Sequence, residues 1–145
     1  MILGLGVDVV EIERMQRLLE RQGERLVRRI LTEVEQSRLP RRNPAVYLAG
    51  RWAAKEAVVK ALGTGFYGVG WREVSVEKSP SGAPALQLYK TAAKVAALRG
   101  IRHWTISLSH ERAYAVAVAA GEGEPPADER AILQAIREVV RGDRT

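Results

Sequence analysis

Residues 104–119 read WTISLSHERAYAVAVA. Ile106 and Leu108 alternate with Thr105, Ser107 and Ser109, the two-residue period of a strand with one face in a core and the other in water. Ala113 to Ala119 continues in small and β-branched residues, and His110, Glu111 and Arg112 lie between the two runs. Two strands joined by so short a polar segment must be antiparallel, because a parallel return needs a crossover of a dozen or more residues. At the opposite end of the chain, ILGLGVDVV at 2–10 is apolar and β-branched apart from its glycines and Asp8, and predicts a buried strand ending near that carboxylate. Strands at both ends, helices between them and a closing hairpin give an α+β class: a small antiparallel sheet packed with a long helix.

The long helix comes from NPAVYLAGRWAAKEAVVKALG at 43–63. Asn43 before Pro44 supplies a capping residue and then proline at the first helical position, and Gly63 is a stop, so 44–62 is predicted helical for about five turns. Upstream, Glu11 to about Leu31 has helical spacing. Arg14, Arg17, Arg21, Arg25 and Arg28 recur in it every three or four residues, one stripe if Gly23 does not break the helix. Thr32 with Glu35 forms a capping box for a short helix to about Leu39, stopped by Pro40. Downstream, Gly63, Gly65, Gly68 and Gly70 mark a loop, Arg72–Lys78 and Ala85–Tyr89 read as strands, and Thr91–Leu98 as a helix ended by Gly100. After GEGEPP at 121–126, residues 127–140 have helical spacing through Ile132, Ile136 and Val140. The expected organisation is one domain over 1–121 with a linker and amphipathic helix over 122–145.

With 145 residues, 46% of them hydrophobic, the chain has enough apolar surface for a core. It contains no cysteine, which excludes disulfides, thiolate catalysis and cysteine zinc sites, and only His103 and His110 remain as nitrogen ligands. No apolar run approaches the roughly 20 residues of a membrane helix, and a soluble, cytoplasmic protein is expected. The net charge of +6 is uneven: residues 122–145 carry −2, leaving +8 on the rest. Of the 23 basic residues 18 are Arg, the side chain that pairs bidentately with carboxylate and phosphate, so the expected partner is an acidic macromolecule or a phosphate-rich ligand. A basic nucleic-acid-binding protein is the alternative from charge. It would lack a zinc module, a reading helix and aromatic stacking repeats, and would leave Asp8 and Glu56 unexplained.

Asp8, next to apolar neighbours, must be solvated, hydrogen-bonded or paired, and either terminates the strand or binds a metal. In RWAAKEAVVK at 51–60, Glu56 and Lys60 are spaced for a salt bridge contributing roughly 0.3–0.5 kcal/mol on an exposed helix. Lys55 and Glu56, however, emerge among Trp52, Ala53, Ala54, Ala57 and Val58, a placement that suits a pocket. The loop GTGFYGVG at 63–70 follows a helix instead of opening one, and a helix C-terminus repels phosphate. It reads as a cap and mobile loop unless Lys60 and a metal hold the phosphate. Ser109, His110 and Glu111 cannot form a triad, because neighbours on an extended segment point opposite ways. His110 is a turn residue or a phosphate donor, and His103 enters the strand.

Four segments together, Gly6-Val7-Asp8, the run from Arg51 through Gly65, Gly82-Ala83-Pro84 and Ile106-Ser107-Leu108-Ser109-His110, resemble the holo-acyl-carrier-protein synthases, small bacterial 4′-phosphopantetheinyl transferases, over residues 1 to about 120. The resemblance implies that family's α+β fold, a place in fatty acid biosynthesis, and transfer of 4′-phosphopantetheine from coenzyme A to a serine of apo acyl carrier protein, releasing adenosine 3′,5′-bisphosphate. It implies Asp8 and Glu56 as Mg²⁺ ligands, with Glu56 also offered as acceptor of the serine proton, and Lys60 on the phosphates. Gly63, Gly65, Pro84 and His110 would line the nucleotide pocket, and Arg14 and Arg21 would dock the acidic carrier protein. A homotrimer with the site between subunits follows from the same likeness. Two departures stand out: Trp52 replaces the usual Phe, and the chain runs on past the family's usual end, its last helix expected on its own body or on a neighbouring subunit.

Overall fold

A computed structural model describes residues 1–142, so positions 143–145 of the expected extension lie outside the described residues. The chain opens with strand β1 (Ile2–Glu11), which passes through Asp8 instead of ending near it. Pairing with β5 (Tyr114–Gly123) persists to Glu11 opposite Tyr114, so the carboxylate occupies a mid-strand position opposite Ala117. The hairpin is present: β4 (Ile101–His110) and β5 are antiparallel, with β5 in the middle of a β1-β5-β4 sheet. The turn is Glu111 to Ala113, and His110 belongs to the strand, not to the hairpin tip.

Helix α4 (Pro44–Leu62) lies across this sheet with the bounds expected from Pro44 and Gly63. Its Ala49, Ala53, Ala57 and Ala61 form a stripe of small buried residues, met from the sheet by buried Ala115, Ala117 and Ala119. The approach is closest at β1. A Cβ on Gly6 would stand 1.8 Å from the Ala57 carbonyl oxygen, and one on Gly4 2.2 Å from that of Ala61. Asn43 does not cap α4 as expected: it adopts a left-handed φ of 54° and its side chain makes no cap hydrogen bond.

Between β1 and α4 the expected single helix is two, α1 (Ile12–Gln22) and α2 (Glu24–Ile30), broken at Gly23 with φ 55°. The arginine stripe is therefore interrupted after Arg21. Helix α3 (Glu33–Ser37) starts with the expected Thr32–Glu35 capping box and ends two residues early. A turn of 3-10 helix at Trp71–Glu73 replaces the start of the predicted strand, leaving β2 (Val74–Lys78) to pair with β3 (Pro84–Leu88) in a separate two-stranded sheet. Helix α5 (Lys90–Leu98) follows, and α6 (Glu129–Gly142) folds back on the same chain's body, where Val140 is 5% exposed. Among the described residues no helix is long and apolar enough to cross a membrane.

Beneath α4 lies a fully buried ion pair. Lys55 Nζ donates to Glu35 Oε1 at 2.7 Å, to the Trp71 carbonyl at 3.0 Å and to the Val74 carbonyl, which uses all three ammonium hydrogens. The Glu35 carboxylate also accepts from the Thr32 and Val76 amides at 2.8 and 2.9 Å. Burial lowers the proton affinity of Lys55, and the Glu35 carboxylate opposes that. Lys55 thus ties α4 to α3 and β2 and does not face a pocket. The expectation that paired it with Glu56 in a site is corrected.

Candidate active site

The site lies where β1 carries its last inward-facing residues past α4. Gly4 and Gly6 keep the strand against the helix, and two residues on, Asp8 on the same face has only 16% of its side chain exposed. A cavity of about 400 Å³ opens there, lined by Asp8, Arg14, Trp52, Glu56 and Tyr114 among others. Lys60, half-exposed, reaches back to donate to Asp8 Oδ1 at 3.0 Å and to the Val7 carbonyl at 3.1 Å. The Glu56–Lys60 salt bridge that spacing alone suggested gives way to this contact. A carboxylate 52 residues away in sequence is the better placed partner.

Burial raises the proton affinity of Glu56, the Asp8 charge raises it further, and Lys60 acts in the opposite direction. Asp8 and Glu56 thus line one cavity close enough for their charges to interact, and the Lys60 ammonium offsets the repulsion. The described residues contain no cluster of three or more acidic or histidine side chains. A pair of carboxylates fits a hard cation that takes one or two protein oxygens and completes its shell with water and substrate phosphate. The cavity wall offers no histidine or cysteine to a transition metal that prefers nitrogen or thiolate sulfur.

An aromatic stack joins this cavity to the glycine loop. Trp52 meets Trp71 at 4.5 Å between ring centroids, and Trp71 stacks on Phe66 at 3.8 Å. The loop expected to be mobile is thereby anchored, and Trp52 has a packing role for its extra ring. Gly63 and Gly65 sit directly after α4, past Lys60 on the same helix. His110 is exposed at the end of β4, opposite Ala115, and Pro84 opens β3 opposite Lys78; neither lines the cavity with Asp8 and Glu56. Arg14 lies in the cavity wall, while Arg21 is exposed in the last turn of α1. Tyr114 was not anticipated, since its only signal is its place at the start of a strand. Arg99 was missed as well: it donates to the Leu62 carbonyl at 2.7 Å and the Leu3 carbonyl at 3.2 Å, clamping the end of α4 to β1.

A small helix-on-sheet domain with two carboxylates in one cavity, and a lysine bonded to one of them, suits chemistry on a phosphate-bearing substrate, and the sequence assigns the class. The profile of the 4′-phosphopantetheinyl transferase superfamily matches residues 4–119, and the chain belongs to that family. Within it the relatives are holo-[acyl-carrier-protein] synthases. One from Herpetosiphon aurantiacus is 44% identical over 129 residues, covering 84% of this chain and all of the relative. One from Nitratidesulfovibrio vulgaris is 49% identical over 120 residues, covering 81% of this chain and 96% of the relative. Among solved structures, the Neisseria meningitidis holo-[acyl-carrier-protein] synthase superposes with a TM-score of 0.77 at 35% identity, over 84% of this chain and 99% of that one. The Helicobacter pylori enzyme, in complex with coenzyme A, gives 0.72 at 28% identity over 81% and 99%. The expected fold and enzyme class are both met by these relatives.

Proposed function

We propose that the chain transfers 4′-phosphopantetheine from coenzyme A to a serine hydroxyl of an apo acyl carrier protein in the cytoplasm, with Mg²⁺, releasing adenosine 3′,5′-bisphosphate. The observation that carries the reading is that Asp8 and Glu56 line one opening and Lys60 is bonded to Asp8, in a chain whose relatives are synthases of this kind. Asp8 and Glu56 are the groups that would hold Mg²⁺, which when bound neutralises negative charge on the pyrophosphate. Lys60, turned toward Asp8, would supply further positive charge to a phosphate held there.

In the transfer, the serine oxygen forms a bond to the phosphorus that carries pantetheine while the bond from that phosphorus to the bridging oxygen breaks. The electron pair leaves with adenosine bisphosphate. The serine proton is assigned to Glu56, a carboxylate in the wall of the opening. Gly63 and Gly65 let the nucleotide approach the end of α4, and Pro84 and His110, which do not line the opening within their own chain, are assigned to the pocket of a neighbouring subunit.

This assignment requires a subunit contact. The outer face of the main sheet supports this: Leu5, Val7, Val9 and Val118 are 64, 53, 56 and 39% exposed and share one surface. Such a continuous apolar face is what an oligomer buries, and a homotrimer with the site between subunits is the proposed assembly. Arg14 and Arg21 on α1 form the docking surface for the acidic carrier.

The deciding experiment incubates the protein with coenzyme A, Mg²⁺ and apo acyl carrier protein and weighs the carrier by mass spectrometry. A pantetheinyl mass increase that is lost in Glu56→Gln is expected. No increase, together with salt-sensitive retention of RNA or DNA, would transfer the assignment to a nucleic-acid-binding protein.

A further inference from the structure

Helix α6 lies beyond the part of the chain that the family profile matches, yet it is built into the body. Its buried Val140 fills the place a side chain at position 68 would take: a Cβ on Gly68 would stand 2.4 Å from Val140 Cγ1 and 2.6 Å from its carbonyl oxygen. The glycine loop and the last turns of α6 are thus packed backbone to backbone. Between them is a cavity of about 360 Å³ whose walls include Gly63, Thr64, Tyr67, Arg137 and Arg141. The two arginines are four residues apart and so share one helix face. Both are exposed and have no ion-pair partner among the described residues.

The loop by itself is a poor place for an anion. Its amides are already committed, with Gly63, Thr64 and Gly65 N–H all donating to the Val59 carbonyl at 3.1–3.2 Å. The end of α4 also presents the negative pole of its dipole. A phosphate held here therefore needs cations from elsewhere. Lys60, one turn before Gly63, is committed to Asp8 and Val7, so the cations that face this cavity are Arg137 and Arg141.

We propose that α6 completes the coenzyme A pocket, with Arg137 and Arg141 binding a phosphate of the nucleotide beside Gly63 and Thr64. This rests on the assignment of coenzyme A to the site above. The competing account gives the arginines a purely structural duty, offsetting the converging negative ends of α4 and α6.

Calorimetric titration of the full chain with coenzyme A, well below its melting temperature and at two salt concentrations, separates the two. Arg137→Gln and Arg141→Gln are each expected to raise Kd for coenzyme A about tenfold, the loss of one charge-assisted hydrogen bond, and to flatten its salt dependence. Arg130→Gln, in the first turn of α6 and outside the cavity, serves as the control and keeps the native Kd. Repeating the titration with 3′-dephospho-coenzyme A identifies the phosphate: the arginine effect vanishes if the 3′-phosphate is the one bound and persists if it is the pyrophosphate. An Arg137→Gln/Arg141→Gln protein that binds coenzyme A like the native chain, or that loses melting temperature at unchanged affinity, overturns the inference. Failure of the native chain itself to bind coenzyme A would instead remove the assignment on which it stands.

Discussion

Replacing Gly6 by alanine adds one methyl group where β1 crosses α4. That carbon would lie 1.8 Å from the Ala57 carbonyl oxygen, 2.7 Å from its carbon and 3.1 Å from the Ala61 nitrogen. All three are main-chain atoms inside a helix, so no rotamer can relieve the clash. Reaching even a 3.0 Å contact requires strand and helix to part by roughly 1.2 Å, and overpacking of this kind costs about 1–3 kcal/mol or more. For a chain of this length that lowers Tm by roughly 3–12 °C. The functional effect is larger, because Asp8 is two residues further along the same face and its 3.0 Å contact with Lys60 cannot survive the separation. A misplacement of about 1 Å between reacting groups costs on the order of 100-fold in rate. Gly50→Ala is the internal comparison: it sits within α4, its added carbon meets only Leu108 Cδ2 at 3.6 Å, and it gains up to about 1 kcal/mol of helix propensity. Thermal melts and the pantetheinyl transfer assay on both variants give the answer. A Gly6→Ala protein with native Tm and turnover would show that the strand–helix contact does not set the site geometry.

The buried Glu35–Lys55 pair gives a second test. Glu35→Gln or Lys55→Met alone strands a buried charge at a cost of about 3–5 kcal/mol, and the double variant should cost less than the sum; additive costs in urea melts would deny the coupling. Glu56 provides a pH test. Its proton affinity is raised on folding, so the folded state binds the proton more tightly, and the ionised group's cost to stability is present at neutral pH and fades as pH falls through the folded value. In metal-free buffer Glu56→Gln should therefore raise Tm at pH 7 and converge with the native chain in acid; a loss of Tm that is the same at every pH would contradict this. Arg14→Ala is expected to raise KM for the carrier protein and spare that for coenzyme A, with the effect shrinking at high salt; equal effects on both substrates would defeat the docking assignment. Val9→Asp on the exposed sheet face should leave a folded monomer in sedimentation, and an unchanged assembly would place the subunit contact elsewhere.

The parts of this molecule written in local signals were readable from sequence. The hairpin followed from two-residue alternation, α4 from Pro44 and Gly63, and the start of α3 from Thr32 and Glu35. Asp8, Lys55 and Glu56 stood out as charges among apolar neighbours, and Lys60 was singled out by the family resemblance. What escaped depends on residues far apart in the chain. Lys55 and Glu56 are adjacent and look alike in sequence, but one turns under the helix to a carboxylate 20 residues earlier and the other toward Asp8. The Glu56–Lys60 spacing was correct as helix geometry, but the ammonium makes its direct contact with Asp8 of β1 and acts on Glu56 only through its charge. Asn43 carried a capping signal, yet the chain enters α4 through a left-handed turn that aims its side chain elsewhere.

The position of β1 has a consequence for how the protein is made. Its hydrogen-bonding partner is β5, so that Asp8 pairs with Ala117 and the first amine donates to the Gly123 carbonyl. During synthesis the first strand emerges with no neighbour to pair with, and more than 100 residues must follow before β5 exists. At ordinary translation rates that is a wait of about 5–20 s. Loop-closure entropy must also be overcome before the middle strand can insert. The sheet can therefore close only after β5 has been made. Until then Leu5, Val7 and Val9 form a bare β-prone segment, and growth conditions that slow elongation would be expected to divert nascent chains into aggregates before any reach the native state.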